Sequence, residues 1–89
     1  MSDEERIVLS PALCRAGRGL LDLSQHALAK AARVGRSTVA DYERGSRVPH
    51  YNRLIAIQEA LEAAGVTFLT ATETTGAGVR YREPERWDT

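Results

Sequence analysis

The chain of 89 residues contains little of what marks several classes of protein. Cys14 is its one cysteine, so internal disulfide bonds are excluded and a reducing, cytoplasmic setting is expected. Aromatic residues make up 6% of the chain, so Leu, Ile, Val and Ala must form the core, which favours helices over packed sheets. No apolar run reaches membrane-spanning length, and the acidic start MSDEERIVLS is unlike a signal peptide, so we expect no membrane partner.

Groups that would indicate an enzyme or a metal centre are also missing from the sequence. His26 and His50 have no cysteine or second histidine at ligand spacing. No combination of nucleophile, base and orienting group stands out. We therefore expect no enzymatic activity, no metal and no cofactor, and a packing role for Cys14.

The positive and negative charges of the chain cancel in total but are unevenly distributed along it. The formal net charge at pH 7 is zero, which by itself argues against a polyanionic partner. Between Arg6 and Arg53, however, nine basic residues outnumber three acidic ones. Because the local field, and not the total charge, acts on a bound polyanion, this segment remains compatible with nucleic acid.

Two helices are predicted in the first 32 residues. Ser10 and Ser24 are good N-cap residues, and Pro11 suits a first helical position. Three residues of the second helix share an inward face: Leu28, Ala29 and Ala32. In the tight break RVG that follows, Gly35 is expected to take a turn conformation that residues with side chains resist.

The third predicted helix runs from Arg36 to Arg44 and is closed by Gly45. At about 100° per residue, Val39 and Tyr42 lie on its core side. The other side is a contiguous polar face formed by Arg36, Ser37, Ala40, Asp41 and Arg44. A helix of this kind after a short helix and a tight turn can lie in a DNA major groove.

A fourth helix and two short strands complete the predicted fold. The helix follows Pro49 and ends at Gly65, with an apolar face at Leu54, Ile57 and Leu61 and a largely separate polar face at Gln58, Glu59 and Glu62. The period then changes to that of strands over 66–69 and 78–82. The predicted fold is mainly α, with four helices, and it includes a short C-terminal β-hairpin or an exchanged β-arm. The expected divisions are a flexible acidic N-terminus (1–8), a helix-turn-helix domain (9–65), a β-arm (66–82) and a tail (83–89) in which Trp87 could dock.

The stretch LSQHALAKAARVGRSTVADYERGSRVP resembles the Xre-type, phage-repressor-like helix-turn-helix. The matching pieces are SQ at the start of the second helix, LA within it, RSTV at the start of the third, and ERG before a proline-containing loop. The resemblance covers about residues 9–64 and implies a helix-turn-helix fold of four to five bundled helices. It also implies operator binding as a dimer, with Arg18 and Glu43 as a structural ion pair. The chain departs from it at Gly35, where Ser or Thr is common, and at Asp41, which places a negative charge on the reading face.

The side-chain chemistry of the third helix suggests how DNA would be contacted. An arginine can fork onto guanine, a serine can donate to base or phosphate, and an aspartate can accept from the cytosine amino group. The residues expected to read bases are Arg36, Ser37, Ala40 and Asp41. The residues expected at the DNA backbone are Gln25, Thr38, Arg44, Arg47, Asn52 and Arg53.

Two functions fit these features. The first is a sequence-specific regulator of transcription, expected to be a repressor, that binds double-stranded DNA as a homodimer. Its expected dimer interface lies on the C-terminal strands, at Val66, Phe68, Val79 and Tyr81. The alternative is a protein-binding module, an antitoxin or antiactivator, which the zero net charge and Asp41 favour and which is compatible with DNA binding.

Overall fold

The computed structural model of the chain describes residues 7–84 and contains four helices followed by a β-hairpin. The elements are α1 (Pro11–Leu21), α2 (Gln25–Ala32), α3 (Arg36–Glu43), α4 (Tyr51–Ala64), β1 (Val66–Leu69) and β2 (Gly78–Tyr81). The mainly helical prediction is confirmed. The expectations for Trp87 and for most of the acidic N-terminus fall outside the described residues.

The first two helices begin where the serine caps predicted. Ser10 Oγ accepts a hydrogen bond from the N–H of Leu13 at 3.1 Å, and Ser24 Oγ accepts one from the N–H of Ala27 at 3.0 Å. Pro11 occupies the first turn of α1. Each cap satisfies one of the N–H groups that a helix start leaves without a helical acceptor.

The turn between α2 and α3 uses a different residue from the one predicted. Arg33 has a φ of 60° and takes the left-handed conformation, whereas Gly35 is extended, with φ −72° and ψ 149°, and serves as the N-cap of α3. The expectation that Gly35 would provide the unusual turn conformation is therefore wrong. The left-handed residue falls at the end of α2 because the N–H groups of Arg33 and Val34 turn back to the last carbonyls of that helix.

The core lies between the helices and the inner face of the hairpin. Val39 and Tyr42 are buried, as the third helix predicted, and so is the inward face predicted for α2. On α4, Ile57 and Leu61 are fully buried and Leu54 packs against the same cluster. Among residues 7–84, no helix combines the length and the apolar content needed to cross a bilayer.

Gln58 does not lie on an exposed polar face, contrary to the expectation for α4. Its side chain is buried, and its Oε1 accepts hydrogen bonds from the N–H groups of Val8 (2.8 Å) and Leu9 (3.1 Å). Those two N–H groups belong to extended chain packed on α4, where a missing acceptor would be costly. Gln58 therefore anchors the segment that leads into α1.

The two strands pair within the chain as an antiparallel hairpin. Val66 stands opposite Tyr81, and Phe68 stands opposite Val79. These four side chains were expected at a dimer interface, but they face the protein's own helices: Val66 is in the core, Phe68 and Val79 pack against it, and the Tyr81 hydroxyl donates to the carbonyl of Leu20 at 2.8 Å. An apolar sheet face must be covered, and here α1 and α4 cover it.

Helix α1 contains a position where a stability gain is expected. Gly19 lies within α1, and a Cβ added there would meet no heavy atom within 4 Å. Gly19→Ala is therefore expected to raise the free energy of unfolding by about 0.5–1 kcal/mol, because alanine loses less conformational entropy in a helix. Urea-induced unfolding followed by circular dichroism measures this difference.

Gly45→Ala is the matched control, and it is expected to lower the free energy of unfolding where Gly19→Ala raises it. A Cβ at Gly45 would also meet nothing within 4 Å, but the φ of this residue is 77°. Alanine in that conformation is expected to cost about 1–2 kcal/mol. If both variants lost stability equally, helix propensity would not explain the effect at Gly19.

Candidate nucleic-acid interface

One side of helix α3 packs against the rest of the protein, and the other side is open to solvent. Its buried residues are Thr38, Val39, Tyr42 and Glu43. Arg36 and Ser37 are exposed, and Ala40 and Asp41 are half-buried next to them. Because α3 packs on α1 and α2 through its buried side, the polar residues form a continuous surface strip on the other.

Thr38 does not belong to that strip. It was expected to contact the DNA backbone, but only 7% of its surface is exposed. Thr38 lies three residues after the N-cap Gly35, and its side chain turns toward the start of the helix. Its Oγ1 would be 3.7 Å from a Cβ added at Gly35. Its burial leaves little of the hydroxyl for a phosphate, and we omit it from the contacts proposed below.

The negative charge of Asp41 is paired on the same strip. Arg44 Nη2 donates to Asp41 Oδ1, one helical turn away. Arg44 is largely exposed, so the pair adds little to stability, but it offsets the repulsion that Asp41 would exert on a phosphate. The backbone carbonyl of Asp41 also accepts from the Ser46 hydroxyl at 3.1 Å, which ties the following loop to α3.

Glu43, at the end of α3, is the centre of a hydrogen-bond network. Arg18 of α1 binds its carboxylate in a two-point contact, with Nε to Oε2 and Nη2 to Oε1 both at 2.7 Å. Gln25 of α2 donates its Nε2 to the same Oε1 at 3.0 Å. Arg18 Nη1 additionally donates to the carbonyl of Leu23 at 2.9 Å, and Arg15 donates to the backbone carbonyl of Glu43. One carboxylate thus joins three helices.

The network determines the charge state of its members. Burial acts to raise the pKa of Glu43, but hydrogen bonds from Arg18, Gln25 and Cys14 outweigh it, so this pKa is lowered. Burial, together with the hydrogen bond to Glu43, raises the pKa of the Cys14 thiol. Glu43 is therefore an anion and Cys14 a neutral thiol at physiological pH.

Gln25 was expected at a phosphate, and the structure gives its side chain another partner. With Nε2 donating to Glu43, Gln25 positions the start of α2 against α3. The N–H groups of Gln25 and His26 at that start have no acceptor among residues 7–84. A phosphate at this point would thus meet the backbone of α2.

The remaining expected backbone contacts lie around the start of α4. Arg47, Asn52 and Arg53 are all exposed. A shallow pocket of about 430 Å³ is lined there by His50, Tyr51, Asn52 and Arg53. Arg47 precedes it in the loop that follows α3, so these polar groups flank the path of the chain from α3 to α4.

Sequence reasoning missed Arg15 and the inward role of Gln25. Arg15 and Arg18 are three residues apart and therefore share a face of α1, which was an available signal. No comparable signal marks Gln25, because a glutamine that points outward and one that points inward at the first residue of a helix look alike in sequence.

These features define a helix-turn-helix module: two short helices joined by a tight turn, with the polar side of the second left open for contact. A family model described as helix-turn-helix matches residues 15–65, more than half of the chain. The chain belongs to this family, the Xre-type helix-turn-helix proteins, and its kind of function is DNA-binding regulation of transcription. Comparison with curated proteins gave no match.

Replacing the central carboxylate tests the network. Glu43→Gln is expected to lower the free energy of unfolding at pH 7 by about 3–5 kcal/mol, because Arg18 keeps its charge without a counter-charge. The wild-type advantage depends on the lowered pKa of Glu43. It should be complete above the pKa of an unfolded glutamate, about 4.3, and should shrink as the pH falls through the lower folded value.

Chemical unfolding of both proteins between pH 7 and pH 3 measures this difference. Glu73→Gln is the control, because Glu73 is exposed in the loop between the strands and should change stability by less than about 0.5 kcal/mol. A gap between wild type and Glu43→Gln that stayed constant over this pH range would contradict the assigned charge state of Glu43.

Proposed function

We propose that the protein is a sequence-specific, double-stranded DNA-binding repressor that acts as a homodimer in the cytoplasm. The observation that supports this most strongly is the polar strip of α3, exposed on one side while the Glu43 network and the core hold the other. A rigid support of this kind suits base reading, since the reading side chains must keep their positions relative to the groove.

In this proposal, Arg36, Ser37, Ala40 and Asp41 face the bases. The Arg36 guanidinium has no hydrogen-bond partner among residues 7–84, so it is available to donate to guanine O6 and N7. Asp41 would accept from a cytosine amino group, with Arg44 offsetting its charge toward nearby phosphates. Ala40 allows close approach of the helix to the base edges.

The phosphates would be contacted from two sides of α3. On one side stand the free N–H groups at the start of α2, beginning with Gln25. On the other stand the exposed side chains of Arg47, Asn52 and Arg53, and Arg44 directly follows α3 as its C-cap. These contacts would set the register while α3 reads sequence. They would also allow a chain of zero net charge to bind a polyanion, since four exposed arginines lie on α3 or between its end and the first turn of α4.

A protein-binding function, as an antitoxin or antiactivator, is the second candidate. It is favoured by the zero net charge and by two exposed apolar side chains, Val48 (79%) and Leu69 (41%). Salt separates the candidates, because several phosphate contacts make the affinity fall steeply with salt concentration. A mainly apolar protein interface shows no such dependence.

Selection of bound sites from a random duplex pool at physiological salt tests the main proposal. We expect enrichment of a two-fold symmetric motif, because a homodimer places its two reading helices on two equivalent half-sites. If folded protein enriched no motif from the pool, sequence-specific binding would be overturned and the protein-binding function would be tested next.

Arg36→Ala is expected to weaken binding to the selected site by about 1–3 kcal/mol, because a fork contact to a base is lost. Fluorescence anisotropy with a labelled duplex measures the change. Arg80→Ala is the control, because Arg80 is also an exposed arginine but lies on β2, and its loss should change affinity little. Wild-type affinity in a folded Arg36→Ala variant would remove Arg36 from the reading face.

A further inference from the structure

The two outer edges of the hairpin differ in how they are protected. The N–H of Arg82 donates to the carbonyl of Gly65 at 2.9 Å, and this pair continues the register of β1 and β2. Hydrogen-bonded and non-hydrogen-bonded pairs alternate along an antiparallel ladder. Phe68 and Val79 therefore form a non-hydrogen-bonded pair, and their backbone groups point to the outer edges of the hairpin.

The edge of β2 is guarded by charge. Arg80 extends its guanidinium along that edge and donates Nη1 to the outward carbonyl of Tyr81 at 3.2 Å. Arg80 and Arg82 also give the strand end two positive charges. A second copy of β2 paired antiparallel about Arg80 would bring like charges face to face, which is unfavourable. This is a common way of keeping a sheet edge unpaired.

The edge of β1 has no such protection at its outer end. From Val66 to Thr72 the sequence VTFLTAT contains no charged residue. Val66 is buried, so its part of the edge is covered, but the outward backbone groups of Phe68 have no hydrogen-bond partner among residues 7–84. The backbone groups of Thr70, the residue that directly follows β1, also have none there. Between them, Leu69 is 41% exposed on the outer face of the hairpin.

We propose that this open end of β1 pairs antiparallel with the same segment of a second copy, about a two-fold axis at Leu69. Phe68 of each copy then exchanges hydrogen bonds with Thr70 of the other, and the two Leu69 side chains meet as a non-hydrogen-bonded pair. The result is a four-stranded sheet with the Arg80 edges outermost. The inference rests on the proposed function, since it names the contact that would make the regulator a dimer.

Two features make a second copy the fitting occupant. The edge segment is neutral and self-complementary, so identical strands meet without repulsion, and the pairing covers an apolar side chain exposed in the single chain. The dimer also leaves the reading face open, because α3 packs on α1 and α2 whereas the hairpin packs on α1 and α4. With so few residues paired, the contact is smaller than a standard stable interface, so a weak dimer that DNA reinforces is expected.

Disulfide trapping of the full-length chain tests the pairing without DNA. Side chains of a non-hydrogen-bonded antiparallel pair lie close enough for a disulfide bond. Leu69→Cys should therefore form a covalent dimer under mild oxidation at least ten times faster than Gly78→Cys. Gly78 is the matched control because it stands opposite Leu69 on the same face but on the guarded strand. The native Cys14 is fully buried and does not compete.

Equal rates for the two variants, or a faster Gly78→Cys, would overturn the proposed pairing. As a second measurement, Leu69→Lys should require at least tenfold more protein to fill a two-site operator, with unchanged affinity for a single half-site. A symmetric selected motif without Leu69→Cys trapping would refute this interface and leave the DNA-binding proposal standing. Trapping without any selected motif would refute DNA reading and support the interface.

Discussion

The two-point ion pair between Arg18 and Glu43 is the interaction on which the rest of the structure depends. Glu43 ends α3, Arg18 comes from α1, and Gln25 adds the start of α2 to the same carboxylate. Burying a carboxylate is unfavourable unless its oxygens are well satisfied, and here each oxygen accepts at least one short hydrogen bond. This requirement couples the relative positions of three helices, so α3 cannot rotate about its axis without breaking the network.

That constraint explains how a short helix can carry a reading surface. Isolated helices of eight residues are unstable in water, so α3 depends on tertiary contacts for its existence. Val39 and Tyr42 supply the apolar part of those contacts, and Glu43 supplies the polar part. The residues of the polar strip therefore do not have to contribute to the stability of α3. These residues are free to serve contacts outside the protein, and within the strip Arg44 pairs with the one negative charge, Asp41.

Much of the fold was predictable because it follows from local chemistry. Serine caps, Pro11 and the spacing of apolar residues determine where the helices lie, and the same spacing assigned Val39 and Tyr42 to the core. The polar strip was predictable for the same reason. The burial of Thr38 was not predictable, because this residue lies between the polar and apolar sides of α3 and the packing of the neighbouring helices decides whether it is covered. Gln58 was not predictable either, since its partners lie some fifty residues away in extended chain.

The sequence by itself determined the order of the elements, the two sides of α3 and the local excess of basic residues, since these depend on near neighbours and composition. Only the tertiary structure decided that Arg33 takes the left-handed conformation in the turn and that Gln25 donates a hydrogen bond to Glu43. It also decided that the apolar face of the hairpin covers the protein's own core. Those outcomes depend on which polar groups become buried together when the helices pack. A buried donor or acceptor must find its partner in space, and distance along the chain does not determine where that partner lies.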